Sequence, residues 1–320
     1  MATSNPHRRP SRERSEGLCP VVLGGDEGFA APLATALRSL CDANSRHWPL
    51  DLHVLADRIT EGTRRQVAAS LPAGSATLHW IDVDLERFRS YDLPSGLTPV
   101  SFARLEIPRL FHGRASRVLY LDADVLVLGD LADLSQANLH GAPVGAVPDY
   151  YIDPQLKRSV RADWMAEVPQ VDAYFNSGVL LLDIEACVRR DLMATAVDYL
   201  RSHPSARFPD QDALNVACAG AWHPLDTRYN FQGHLDHRVD RMAAAERPAV
   251  VHFVTAVKPW LPAAAGRHVA MYEQIRNRTL FRRSASSKLY AALNTFVYRA
   301  RNRVFRLGRL LSAAGQVERA

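Results

Sequence analysis

The segment at 117–131, RVLYLDADVLVLGDL, constrains this chain more than any other. Val118, Leu119, Tyr120 and Leu121 form a continuous apolar run, the pattern of a strand buried on both faces of a parallel sheet. Asp122 and Asp124 stand just past the carboxyl end of that run. Two carboxylates one residue apart repel each other unless something neutralises them, and a hard divalent cation carrying phosphate oxygens does this well. The pair therefore predicts a metal-diphosphate site. Read alone, Asp122 is equally a strand terminator and Asp124 a solvated loop acid, so the flanking residues decide.

At 320 residues with 47% hydrophobic content, the chain is long enough to bury a substantial core. Cys19, Cys41, Cys187 and Cys218 show no C-x-x-C pair, which predicts reduced, mostly buried thiols and a cytoplasmic setting. Residues 1–17 are polar and rich in arginine, and no apolar stretch intervenes before Asp26 and Glu27, so they are expected to form a disordered tail and not a secretory signal. No run of about 18 apolar residues suggests a transmembrane span. The net charge of +5 is unevenly placed. Between Arg276 and Arg309 stand nine arginines and Lys288 with no acid, so that segment carries +10 and the remainder −5. A basic cluster confined to one terminal segment is no nucleic-acid footprint on the body, and no nucleic acid is expected as a partner.

From Pro20 the pattern alternates strand and helix. Val21 to Leu23 reads as a strand ending at Gly24-Gly25-Asp26, and Leu33, Leu37, Leu40 and Cys41 repeat at helical spacing. Leu50 to Leu55 reads as the next strand, 60–70 as a helix with Thr60 as N-cap, and 77–83 as a third strand. A helix is expected over 102–111 despite Pro108, leading into the strand at 117. Later strands are expected at 145–147, 179–182 and 250–253, and a helix opens at Asp210-Gln211-Asp212. Such alternation predicts a parallel sheet whose ligands bind outside the carboxyl ends of the strands, where Asp26 and the Asp122/Asp124 pair fall.

Seven motifs in order, GGDEGFA, SFARL, YLDADVLVLGDL, YFNSGVLLLD, PDQDALN, TRYNF and HFVTAVKPW, resemble the glycosyltransferase family 8 enzymes over about residues 20–262. This retaining group includes bacterial lipopolysaccharide galactosyl- and glucosyltransferases and glycogenin. The resemblance implies the GT-A fold, an α/β architecture with a Rossmann-like, mostly parallel central sheet flanked by helices. It also implies transfer of a hexose from a UDP-sugar to a glycan or glycolipid acceptor with an α linkage. Asp122, Asp124 and His252 match the family's ligands for Mn²⁺ (or Mg²⁺), a set that suits a borderline-hard ion. Lys258 matches a lysine on the diphosphate, Asp26 a nucleotide-binding aspartate, and Phe29 an aromatic that stacks on uracil. Arg104, Asp149, Asn176, Asp210 and Gln211 match positions around the donor sugar. Gln211 and Asp210 are the expected catalytic pair, because Gln211 stands where a nucleophile would be and its amide oxygen is a poor one.

Taken singly these residues have other readings: His252 as a core histidine, Phe29 as core packing at a helix start, Asp210 as an N-cap. Two positions depart from the family pattern, Thr255 for a glycine beside the phosphates and Gly28 for a frequent asparagine. Competing functions are a haloacid dehalogenase-like phosphatase, whose nucleophile motif resembles the D-x-D string, and a catalytically silent nucleotide-sugar-binding protein. The expected organisation is a tail at 1–17, a catalytic domain at 18–265 and a basic region at 266–320. In that region Leu289, Leu293, Phe296, Val297, Ala300, Val304, Leu307 and Leu311 fall on one stripe of a helix over about 286–312, with arginines off it. A basic amphipathic helix of this kind lies on an anionic membrane surface, which predicts a cytoplasmic, peripherally membrane-associated enzyme.

Overall fold

The computed structural model describes residues 17–91, 93, 97–153, 169, 171–232, 247–261, 264 and 266–284. The alternation opens as expected, with β1 (Val21–Asp26), α1 (Ala30–Ala43), β2 (Leu50–Asp57), α2 (Glu61–Ala69) and β3 (Ala76–Asp82). Thr60 caps α2 by accepting from the Thr63 N–H at 3.3 Å. The helix expected over 102–111 is instead two pieces, a 3-10 stretch over Pro99–Glu106 and the short α3 (Ile107–Phe111). Pro108 explains the break, since it has no N–H for an upstream carbonyl and is tolerated only in the first turn of a new helix.

The 117–131 segment folds as β4 (Arg117–Leu121) and then a second, unexpected strand, β5 (Val125–Val127). After α4 (Ala132–Ser135) come β6 (Val144–Pro148), β7 (Phe175–Asp183), α5 (Ile184–Arg189), α6 (Leu192–Ser202) and α7 (Pro209–Cys218). The chain continues through β8 (Trp222–Pro224), β9 (Phe231–Gln232), β10 (Val250–His252) and α8 (Arg267–Arg276). Seven strands make the central sheet in the order β3-β2-β1-β4-β7-β6-β8. The first four are parallel, β7 runs antiparallel to both its neighbours, and β8 is parallel to β6. A separate sheet, β5-β10-β9, stands at the carboxyl end of β4.

Alternation along β1 and β4 feeds two cores. On one face Val21, Leu23, Leu119 and Leu121 pack with Leu33, Leu37 and Leu40 of α1. On the other Val22, Val118 and Tyr120 pack with Phe102, Leu105 and Leu180. Each fully buried aliphatic side chain contributes about 1.5–3 kcal/mol, so the end of β4 is a stiff platform for Asp122 and Asp124. β7 is longer than its apolar run suggests and starts at Phe175. Its register against β6 shifts between Ala146, opposite Leu180, and Val147, opposite Asn176, and this irregularity turns Asn176 and Ser177 toward the end of β4.

α8 lies over the small sheet, where Tyr272 packs with Leu126 and Val251. The chain just after it is tied to the body, with Arg38 Nη1 donating to the Arg278 carbonyl at 3.0 Å and the Leu280 N–H donating to Ser70 Oγ at 3.0 Å. The amphipathic helix expected over 286–312 lies outside the described residues, as do the tail at 1–16 and most of 153–171 and 234–246. Among the described residues no helix is long and apolar enough to cross a membrane.

Candidate active site

Topology brings His252 to the aspartates. β10 pairs antiparallel with β5 in a register that sets His252 opposite Val125, and the Phe253 N–H donates to the Asp124 carbonyl at 3.1 Å. On the other side the Asp122 N–H donates to the Gly178 carbonyl of β7 at 2.8 Å. Asp122, Asp124 and His252 each present one ligand atom within 4.8 Å of the other two. His252 Nε2 lies 3.1 Å from Asp124 Oδ1 and 3.7 Å from Asp122 Oδ2. Asp122 does end β4, but Asp124, in the turn before β5, has a side chain only 13% exposed and is not the solvated loop acid it resembles in isolation.

The ring orientation of His252 is set from behind. Its Nδ1 is 3.0 Å from Asn230 Oδ1, and Asn230 Nδ2 donates to Asn176 Oδ1 at 2.8 Å, which assigns the Asn230 oxygen to the imidazole. Nδ1 then carries the proton and Nε2 turns its lone pair toward the carboxylates, as a metal ligand must. Space is reserved as well. A Cβ on Gly178 would sit 2.1 Å from His252 Cε1 and 2.7 Å from Asp122 Oδ2. Two carboxylate oxygens and an imidazole nitrogen around such a cradle fit a divalent cation.

The two carboxylates are surrounded by basic groups and hydrogen-bond donors. Burial by itself would raise the Asp124 carboxyl, but Lys258 and His252 outweigh it and hold that carboxyl well below the usual range. Lys258 Nζ donates to Asp124 Oδ2 at 2.6 Å and to the Phe253 carbonyl at 2.7 Å. Asp122 Oδ1 accepts from Arg104 Nη2 and from the Tyr120 hydroxyl, both at 2.7 Å. Burial of the Arg104 guanidinium opposes its charge, yet the neighbouring Asp122, Tyr120 and Asp210 raise its pKa above the ordinary arginine value. Arg104 is also a structural tie, with Nη1 donating to the Ser177 carbonyl at 2.7 Å and Nε lying 3.3 Å from Asp210 Oδ2.

Phe29, Leu97, Thr98, Arg104, Asp122, Asp124 and Lys258 line a cleft at the carboxyl ends of β1 and β4. Phe29 sits edge-on to Trp260, with ring centroids 5.7 Å apart. Asp26 is one step back from this lining. Its Oδ1 accepts from the Phe29 N–H at 3.0 Å and its Oδ2 from the Thr98 hydroxyl at 2.7 Å, so it shapes the turn that presents Phe29.

Asp149, Asn176, Asp210 and Gln211 form a buried polar wall next to the metal cradle. Asp149 Oδ2 accepts from Asn176 Nδ2 at 3.0 Å and Gln211 Nε2 at 3.2 Å, while Gln211 Oε1 accepts from the Ser177 N–H at 3.0 Å. Burial pushes the Asp210 carboxyl up. Asp210 is no N-cap: the cap position of α7 is Phe208, whose N–H is met by the Asp212 carboxylate at 3.0 Å. Sequence reasoning missed Asn230, Tyr120, Ser177 and Gly178 as individuals, although each stands inside a motif. Thr255, in the turn after β10, donates to the Val257 carbonyl at 3.3 Å.

The model of the family described as Glycosyl transferase family 8 matches residues 20–264. General stress protein A of Bacillus subtilis (strain 168) is 24% identical over 261 residues, 77% of this chain and 89% of the relative. Lipopolysaccharide 1,2-glucosyltransferase of Escherichia coli (strain K12) is 26% identical over 248 residues, 75% of this chain and 72% of the relative. Among solved structures, the galactosyltransferase LgtC in complex with donor and acceptor sugar analogues superposes with a TM-score of 0.70 at 25% identity, over 82% of this chain and 96% of that one.

Proposed function

Because this chain belongs to glycosyl transferase family 8 and is a glycosyltransferase, we propose that it moves a hexose from a UDP-sugar to a glycan or glycolipid acceptor, with Mn²⁺ or Mg²⁺ and an α-linked product. The observation that carries this reading is the convergence of Asp122 and Asp124, from the turn after β4, and His252, from β10, on one open cradle beside Lys258. A divalent cation bound there neutralises the charge that develops on a departing diphosphate. Lys258 adds a second positive charge, already held at the cradle by Asp124. Phe29 offers a ring face for the base, and Asp26 holds the turn that carries it. That the LgtC structure holds donor and acceptor sugar analogues supports a two-substrate cleft, and the lipopolysaccharide glucosyltransferase relative supports a glycan or glycolipid acceptor.

Where the family resemblance sets the residue beneath the donor sugar, this chain carries an amide, Gln211, and not a carboxylate. An amide oxygen is a poor nucleophile, which favours front-face transfer: the acceptor hydroxyl attacks the anomeric carbon as the bond to phosphate breaks, and the phosphate oxygen takes the hydroxyl proton. Gln211 then stabilises positive character at that carbon, while Asp210, Asp149, Asn176 and Arg104 hold sugar hydroxyls by directed hydrogen bonds. Screening UDP-sugars for Mn²⁺-dependent hydrolysis and transfer tests donor, metal and class together. An α-linked product by NMR is expected, and a β linkage overturns the retaining reading. Phosphate release from simple monoesters would favour the phosphatase alternative, and tight UDP binding with neither transfer nor hydrolysis the silent-binder one.

The basic C-terminal region has a role in the same reading. The catalytic domain at 18–265 is held at an anionic cytoplasmic membrane surface by the amphipathic helix that the sequence pattern predicts over about 286–312, which brings the cleft to lipid-linked acceptors. Deleting the residues after Arg283 should release the protein from anionic vesicles and leave UDP-sugar hydrolysis intact.

A further inference from the structure

Away from the cleft, the described residues bring together one more set of metal-ligating side chains, Asp51, His53 and His79, each with a ligand atom within 4.8 Å of the other two. Asp51 and His53 are two apart on β2 and so project from the same face. His79 stands beside His53 in the β2/β3 register, and the two imidazoles stack with centroids 4.7 Å apart and planes 20° from parallel. The Asp51 Oδ1 atom lies 2.9 Å from His53 Nε2 and 3.4 Å from His79 Nε2. Ligands held about 2.0–2.1 Å from a tetrahedral ion sit roughly 3.3 Å apart, so this oxygen has that spacing to His79 and needs only a small shift from hydrogen-bond distance to reach it with His53.

We propose that Asp51, His53 and His79 form a second divalent-metal site, which takes a borderline ion such as Zn²⁺ and clamps the edge strand β3 to β2. The donor set decides the ion. Two imidazoles and one carboxylate suit zinc, copper or nickel, whereas the two carboxylates and one imidazole of the cleft suit a harder ion. Asp51 and His79 side chains are 48% and 49% exposed, which leaves solvent to complete the coordination and lets the His79 ring turn inward. His53 is held from behind by the edge of Phe111, with ring centroids 4.9 Å apart, and its Nδ1 is buried without a hydrogen-bond partner. Apart from Asp51, nothing described engages the polar atoms of this ring. Arg114 places a positive charge near His53, but Asp51 acts on it more strongly. β3 is the outer strand of the sheet, and a cross-strand ion there would hold an edge that has no further neighbour among the described residues.

Equilibrium dialysis of the untagged full chain against Co²⁺ as a zinc surrogate tests this, with the His79→Gln and Asp51→Asn variants alongside. Each variant should bind one equivalent fewer than the wild type and lose at least tenfold in affinity for Zn²⁺ measured by calorimetry. Donor hydrolysis with Mn²⁺ should be unchanged in both, since neither residue touches the cleft. Equal stoichiometry in wild type and both variants overturns the proposal and leaves the three side chains as a stacked, ion-paired surface cluster. A variant that fails to fold is replaced by Asp51→Ser, whose side chain is half exposed, and the same difference in stoichiometry decides.

Discussion

Two groups of carboxylate and imidazole lie on this molecule, and they are built differently. At the cleft, Asp122, Asp124 and His252 come from two sheets, and each is held by further partners: Arg104 and Tyr120 on Asp122, Lys258 on Asp124, Asn230 on His252. At the sheet edge, Asp51, His53 and His79 come from two adjacent strands, and their polar contacts are with one another. The first is a cradle made before its ligand arrives. The second is adaptable, with one ring anchored and the other half exposed. Preorganised electrostatics serve a developing charge, while an adaptable edge serves at most binding and stability.

The sharpest way to break this contrast is to remove one carboxylate from each group. Asp124→Ala takes away one of the proposed metal ligands and leaves Lys258 without its 2.6 Å partner. The loss of such stabilisation should lower transfer about 10²-fold or more, whereas Asp51→Ala should leave it within twofold of wild type. Steady-state transfer with saturating Mn²⁺ measures both. Equal effects would mean that the cleft does not have the role assigned to it.

A smaller effect should come from the residue behind the ligand. Asn230→Ala deletes the acceptor that fixes the His252 tautomer and leaves the ring in place, since His252 is 4% exposed and held by β5. Loss of an outer-shell partner typically costs 10–100-fold in metal affinity, so the Mn²⁺ concentration for half-maximal activity should rise by that factor while the maximal rate falls less. No equivalent variant exists at the edge, where His53 Nδ1 has no partner to delete.

How much of each group was legible in the sequence depends on how its members are connected. The Asp122/Asp124 pair was readable because both acids end one apolar run, and a strand end is where a parallel sheet presents ligands. His252 was readable only through the ordered motifs, since an apolar strand with one histidine looks like core. β5 escaped notice because three apolar residues after a D-x-D look like more of the same segment, yet β5 is the strand that brings β10 alongside. The start of β7 escaped for the opposite reason: Asn176, Ser177 and Gly178 are polar or small, and their strand is buried by topology and not by composition. The parallel-sheet expectation holds for β1 to β4, and the antiparallel β7 is what places Gly178 against Asp122. Asp51 and His53 show the period of a strand face in plain sight, but their meeting with His79 depends on a register that only the folded sheet supplies.

The smallest predicted effect concerns pH and separates the interior network from the edge group once more. Asp212 is 0% exposed and accepts from the Phe208 N–H and the Tyr174 hydroxyl. Burial pushes its carboxyl up to about 7, helped by the Asp210 and Asp149 charges and opposed by those two hydrogen bonds. A carboxyl whose pKa is higher in the folded than in the unfolded chain binds its proton more tightly when folded. Its contribution to stability is therefore full below about pH 4 and is lost as pH rises toward 7, by at most about 1.4 kcal/mol per pH unit. For a chain of this size that is about 2–4 °C in melting temperature per unit. Asp212→Asn removes the titration, so its melting temperature should vary less than that of the wild type between pH 5 and 7, whereas Asp51→Asn keeps the Asp212 contribution and changes only the part of the slope that comes from His53. A wild-type slope that persists in Asp212→Asn would show that Asp212 is ionised throughout, held by its two donors against the burial.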